Sequence, residues 1–515
     1  MSAEPEQAPR IDPRFDSITR NRLLAQSATL TFFLSCAYAK LDLGVIKVEH
    51  TLGDGLYCVD ADGYEITDEA IQQISEKMHE MIDNDLPIET PKIGRQELLR
   101  FFDEEYNRQD KVGVLKAWQD HFIPCIQFDG FIDYMIEDMC TDKSKLKVFE
   151  IRKYDEGLLL RWPTIMNPDS IAPFVDRPVL HSIFKEAEDW ARILKADNIT
   201  EINKAVYTKR IEELRLINEG LHEKKIATIA QKLCADFQTN RLITIAGGSS
   251  SNKTTFAKRL SIQLRVSGFE ATVIEMDDYF QDTEKVPMDE NGKRDFEHIS
   301  AMNVDLLAER VAMLLRGEKI PVRKFNFKAG KGEDSTTKFL SLPPKNFLIL
   351  EGIHGLNPEL LQHFQKVTPI YVCCLTPMHV DLNHRLATSD LRLIRRTIRD
   401  HNYRGVSARR SASMWTSVRF GEERNIFPYH ENAKMFFNSA LLYELNVYAI
   451  MGRVILSEGT FPDPGENTES PDCKVITREV ERLLSLLKLF YPYNPENISK
   501  VSTIREFIGG SDLSY

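Results

Sequence analysis

Short apolar runs recur through the second half of the chain. LITIAG (242–247) ends at Gly247 and Gly248, and a helical pattern follows from Lys253 to Val266. ATVIEM (271–276), FLILEG (347–352), PIYVCCL (369–375) and KMFFNS (434–439) are runs of the same kind, and Asn303 to Arg316 has helical spacing. Apolar runs of this length, bounded by turn residues, read as strands buried on both faces. Alternating with helices, they predict an α/β fold with a mostly parallel sheet covered on both sides.

The first half is patterned differently. From 21 to 165 helical and strand-like stretches mix, which predicts an α+β unit. IQQISEKMHEM (71–81) has helical spacing, with Asp68 as a candidate cap. Residues 199–236 are charged and helical, with Asn198 and Thr200 as candidate caps, and 476–490 form an amphipathic helix. No repeat at solenoid spacing is present. The expected organisation is a disordered tail (1–20), an α+β domain (21–165), a helical connector (166–238), an α/β domain (239–455) and a helical extension (456–515).

Composition narrows the class. The chain has 515 residues, 42% hydrophobic and 28% charged, which is ordinary for a globular protein and allows about three domains. The net charge of −11 argues against a general nucleic-acid binder. Eight cysteines without a CxxC pair predict reduced thiols. The opening residues mix charge and proline without an apolar stretch, and Leu30 to Ala39 is too short to span a bilayer. A cytoplasmic, unanchored protein is expected.

The chemistry concentrates after the first run. Gly247, Gly248, Ser249, Ser250, Ser251, Asn252, Lys253, Thr254 and Thr255 stand between a predicted strand and a predicted helix. Small residues let backbone N–H groups wrap an anion, and the helix N-terminus adds positive charge there. Lys253 would reach the outer phosphates of ATP, and the Thr254 hydroxyl would hold Mg²⁺. Asn252 occupies a position where GxxxxGK[ST] has glycine. Asparagine tolerates positive φ, but its side chain needs room. The alternative is a serine-rich turn before a helix.

Phosphoryl transfer also needs a base, a metal ligand and cations. Asp277 follows the second run, at the strand end where ligands bind in parallel sheets, and is the candidate base. Glu351 ends the third run and is a candidate Mg²⁺ ligand. Arg392, Arg395, Arg396 and Arg399 share one helical face at i, i+3, i+4 and i+7, with Arg404 beyond them. Such a face would close over phosphates as a lid.

Together these segments resemble the uridine kinase and phosphoribulokinase family of P-loop kinases over about residues 241–450. GGSSSNKT stands for the family's phosphate loop, Asp277 in EMDDYF for its base, Glu351 in LEGIHGLNP for its strand-ending glutamate, and Arg396, Arg399 and Arg404 in RLIRRTIRDHNYRG for its lid. Stretches such as GLHEKKIATIAQKL, GEERNIFPY, FNSALLYEL and IREFIGGS resemble the nucleoside kinases joined to a segment related to threonyl-tRNA synthetase. GDGLYCVDADG, MHEMIDNDLPIE and VFEIRKYDEG in the first half resemble that synthetase's editing domain. Its histidine and cysteine positions are occupied here by Gln26, Leu30, Met135 and Met139. Methionine cannot activate water and no zinc set remains, so the resemblance implies binding, scaffolding or oligomerisation rather than editing.

The resemblance implies transfer of the ATP γ-phosphate to a hydroxyl of a nucleoside or related sugar-bearing metabolite. The family's nucleoside-contacting positions fall at Ser300, Phe325, Gly330 and Val406, so uridine specificity is not implied. A nucleotide-binding regulator without turnover is the rival reading. A tRNA-associated role is the other, and the acid-rich 21–165 region speaks against it. A homo-oligomer is compatible with the sequence.

Overall fold

The computed structural model describes residues 17–288, 292 and 294–514. The expectation of a disordered tail falls mostly on residues outside this range. Its last residues, from Ser17, already belong to helix α1 (Ser17–Lys40).

The first half holds β1 (Ile46–Leu52), β2 (Gly55–Asp60), α2 (Asp68–Asp83), β3 (Lys92–Gly94), α3 (Arg95–Arg100), α4 (Gln109–Ala117), β4 (Phe122–Phe128), β5 (Phe131–Tyr134), β6 (Glu150–Tyr154) and β7 (Gly157–Arg161). They build a four-stranded sheet of order β1-β2-β7-β6 and a three-stranded sheet of order β3-β4-β5. All pairings within both sheets are antiparallel. α2 is capped by the Thr67 side chain, one residue before the Asp68 expected from the sequence. It buries Ile71, Ile74, Met78, Met81 and Ile82, one stripe at helical spacing. Gln26 and Leu30 of α1 are buried, and Met135 and Met139 pack against the same core.

Helices α5 (Pro178–Ile193), α6 (Ile199–Tyr207) and α7 (Ile211–Ala235) follow. Asn198 caps α6, while Thr200 lies inside it and bonds the Asp110 carbonyl. Ile226, Ile229, Ala230 and Leu233 of α7 enter the core of the second half, so this part of the expected connector is a covering layer.

The second half runs β8 (Leu242–Ala246), α8 (Lys253–Val266), β9 (Glu270–Glu275), α9 (Val304–Leu315), β10 (Ile320–Asn326), β11 (Lys331–Leu340), β12 (Asn346–Glu351), α10 (Pro358–Leu361), β13 (Thr368–Cys373), α11 (Thr388–Arg404), α12 (Ala408–Asn425), β14 (Met435–Asn438), α13 (Glu444–Glu458), α14 (Pro471–Lys488) and α15 (Arg505–Ile508). Five strands form one sheet of order β14-β13-β8-β12-β9, and every pairing in it is parallel. The period of two sorts its side chains. Phe347 and Ile349 of β12 point to the layer of α7 and α8, while Leu348 and Leu350 point to the layer of α9. Both faces of β12 are therefore apolar, and the central strands β8, β12 and β13, buried along their length, read as unbroken runs. No described helix is long and apolar enough to cross a membrane.

One core unites the two halves. Val112, Val114 and Leu115 of α4 and Tyr134 of β5 pack in the same cluster as Leu391, Tyr448 and Phe507.

Candidate active site

The loop after β8 is shaped by close backbone packing. A methyl group on Gly247 would collide with the Val372 carbonyl oxygen, and one on Gly248 with Arg392 and Glu422. Ser250 and Asn252 have φ of 59° and 67°, the left-handed conformation that reverses the chain into α8. Ser249 N–H donates to Glu422 (2.9 Å), and Arg392 donates to the Ser249 carbonyl (2.9 Å). The hydroxyls of Ser250 and Ser251 are buried without partners among the described residues.

Asn252 does not crowd this loop. Its side chain turns away into the protein and is fully bonded. Its amide donates to the Thr503 carbonyl and to Glu506, both at 2.9 Å, and its oxygen accepts from Arg395 at 2.8 Å. Glu506 also accepts from the Thr255 hydroxyl. Segment 503–506 therefore clasps the residue that replaces glycine. An Asn252→Gly variant is expected to lose stability, by about 1–3 kcal/mol, because Glu506 and Arg395 keep their burial and lose a partner. It is expected not to gain activity. Denaturant unfolding and steady-state kinetics check both, and a faster, equally stable variant would contradict the clasp.

The loop borders a cavity of about 1020 Å³. Lys253, Thr254, Asp277, Glu351, Arg396, Arg399 and Arg404 all line it. Lys253 donates to the Gly248 carbonyl at 3.2 Å, and Thr254 to Glu351 at 3.1 Å. Asp277 sits in a tight turn after β9, open to the cavity. Desolvation by the walls raises its carboxyl above the ordinary range, against the pull of Lys253. Burial pushes Glu351 up to about 7, again opposed by Lys253 and aided by Asp277.

The arginine face splits in two. Arg396, Arg399 and Arg404 face the cavity and share the buried Asp400 at 3.3, 3.2 and 3.1 Å. Arg392 and Arg395 do not belong to a lid. Arg395 is fully buried and bonds Glu444 through two nitrogens (2.8 and 2.9 Å), together with Ser250, Asn252 and Ser439. Arg392 pairs with the buried Glu422 (2.9 Å). Spacing placed these side chains on one face, but α12 and α13 cover half of it.

Sequence reasoning missed several cavity residues. Glu297 lines it, and burial, aided by Glu422, pushes its carboxyl up to about 7. Phe280, Phe296 and Phe327 form an aromatic wall with edge-to-face contacts. Ser300 is exposed and Phe325 is core, and neither lines the cavity. Gly509, Gly510, Ser511, Leu513 and Ser514 line the cavity beside the loop, and Lys258 bonds the Ser514 carbonyl. No local pattern announces the contributions of Glu297 or the C-terminal segment, because both arrive from far along the chain.

A phosphate loop at the end of a parallel strand, an acid after the next strand and arginines across a shared cavity define a P-loop kinase domain. The model described as "Phosphoribulokinase / Uridine kinase family" matches residues 242–441. A uridine kinase of Geobacillus sp. (strain WCH70) is 31% identical over 177 residues, spanning 34% of this chain and 75% of the relative. One of Vibrio cholerae is 31% identical over 156 residues, spanning 29% and 72%. One of Staphylococcus aureus is 29% identical over 177 residues, spanning 34% and 76%. This chain belongs to the phosphoribulokinase and uridine kinase family. Kinases of this family use ATP with Mg²⁺.

Proposed function

We propose that this protein transfers the γ-phosphate of ATP to a hydroxyl of a nucleoside-like or related sugar-bearing small molecule. The observation that carries the reading is convergence. Groups from the turn after β8, the turn after β9, the end of β12 and α11 border a single cavity.

The loop amides and Lys253 hold the phosphates. Thr254 and Glu351 present hard oxygen donors 3.1 Å apart and would hold Mg²⁺, which would supply charge neutralisation when bound. Asp277 accepts the proton of the attacking hydroxyl, and its raised pKa makes it the stronger base. Arg396, Arg399 and Arg404 neutralise charge on the transferred group. The aromatic wall and Glu297 provide a flat apolar surface and a hydrogen-bonding acid for the acceptor.

For residues 21–165 we propose a binding or scaffolding role, since Gln26, Leu30, Met135 and Met139 serve packing. We place the protein in the cytoplasm. The test is production of ADP from ATP and Mg²⁺ across a panel of nucleosides and sugars. Acceptor-dependent turnover is expected. ATP binding without turnover on any acceptor would favour the regulator reading.

A further inference from the structure

A second cavity, of about 550 Å³, lies at the seam between the two halves. Its wall takes α1 and the 162–167 segment from one side and residues of β13, α11, α12 and α14 from the other. Gly248 and Ser251 line it, so it backs onto the phosphate loop.

Most charged groups on this wall satisfy one another. Arg482 pairs with Asp390 (2.7 Å) and Glu479 (3.1 Å), and Arg419 with Glu423 (2.8 Å). Arg385 and Glu137 do not. Neither side chain has a hydrogen bond or ion pair among the described residues, although both line the cavity; the same holds for Arg177, Arg478 and Asp138, of which Arg478 and Asp138 are exposed. Desolvation lowers the Arg385 guanidinium from its ordinary value and raises the Glu137 carboxyl, and the attraction between the two, at longer than ion-pair range, opposes both shifts. A guanidinium presents a forked set of donors matched to planar or tetrahedral oxyanions. A half-buried carboxyl on a cavity wall, with no hydrogen bond of its own, calls for a donor. Apolar wall surface comes from Leu23, Trp162, Phe184 and Leu375.

We propose that this seam cavity is a binding site for a small organic anion. Its carboxylate or phosphate pairs with Arg385, and its hydroxyl or amine meets Glu137. The site is separate from the kinase cavity, and the proposal does not rest on the kinase reading.

Glycerol phosphate and glycerate carry the two anionic ends on similar hydroxylated bodies, and glycerol is the neutral control. Thermal unfolding of the full chain at constant ionic strength is the measurement. At least one anion is expected to raise the transition in a saturable way at millimolar concentration, and glycerol is not. Which of the two acts tells phosphate from carboxylate. Arg385→Gln is expected to weaken the response at least tenfold, and Lys253→Ala to leave it intact. Arg385→Lys, which keeps the charge and loses the fork, serves if the glutamine variant does not fold, and it too is expected to bind more weakly. The proposal is overturned if neither anion stabilises, if the Arg385 variants respond like the parent, or if the response is lost with Lys253 instead.

Discussion

Asp277→Asn lowers turnover by about 10²–10⁴-fold, the range that a general base contributes, and leaves ATP binding largely intact. Asparagine keeps the shape and removes the proton acceptor. The phosphates are held elsewhere, by the loop and Lys253, so affinity should survive. Steady-state kinetics with the best acceptor, paired with nucleotide titration, separates the two effects. Full activity in this variant would remove Asp277 from the mechanism. A parallel loss of ATP affinity would make it a structural partner of Lys253, whose charge already acts on it.

Arg395→Met is expected to cost stability rather than chemistry. The residue is 0% exposed and forms the one ion pair of Glu444 among the described residues, Glu444 itself being 1% exposed. Removing one member of a buried pair strands the other, a loss of about 3–5 kcal/mol. The loop would also lose bonds at Ser250 and Asn252. Arg396→Met, one position along α11, is expected to lose much less stability and more activity, because that side chain faces the kinase cavity. Urea unfolding of both variants decides the matter. Equal losses would mean that both arginines play the same part.

What the sequence made legible follows from how local each signal is. The central strands β8, β12 and β13 were visible because strands buried on both faces leave continuous runs, the edge strands β9 and β14 left apolar runs although they are less buried, and Lys253 to Val266 was visible as a helix for its period. The antiparallel β10–β11 pair was not expected. KGEDSTTKFL is largely polar and mostly exposed, so it carries no buried stripe to mark a strand. Asp277 and Glu351 were found through strand-end positions, which a parallel sheet gathers at one edge, and Lys253 and Thr254 through the small-residue loop between a strand and a helix. Arg392 and Arg396 show the limit. Helical spacing fixes an angle around an axis and says nothing about what packs there. The partners Glu422 and Glu444 come from other helices, and only the tertiary fold brings them in. Asn252 illustrates the same limit. Its backbone conformation was inferable from residue type, whereas its bonds to Thr503 and Glu506 were not.

Those bonds join residues 251 and 254 positions apart. During synthesis, the strand, the turn and the following helix emerge long before their clasp exists. The nascent turn is left with an asparagine amide that has nothing to hold it, and it settles only when the distant segment folds back. The set shape of this turn therefore waits on residues made 251 and 254 positions later, and a chain cut short before Thr503 would lack the clasp.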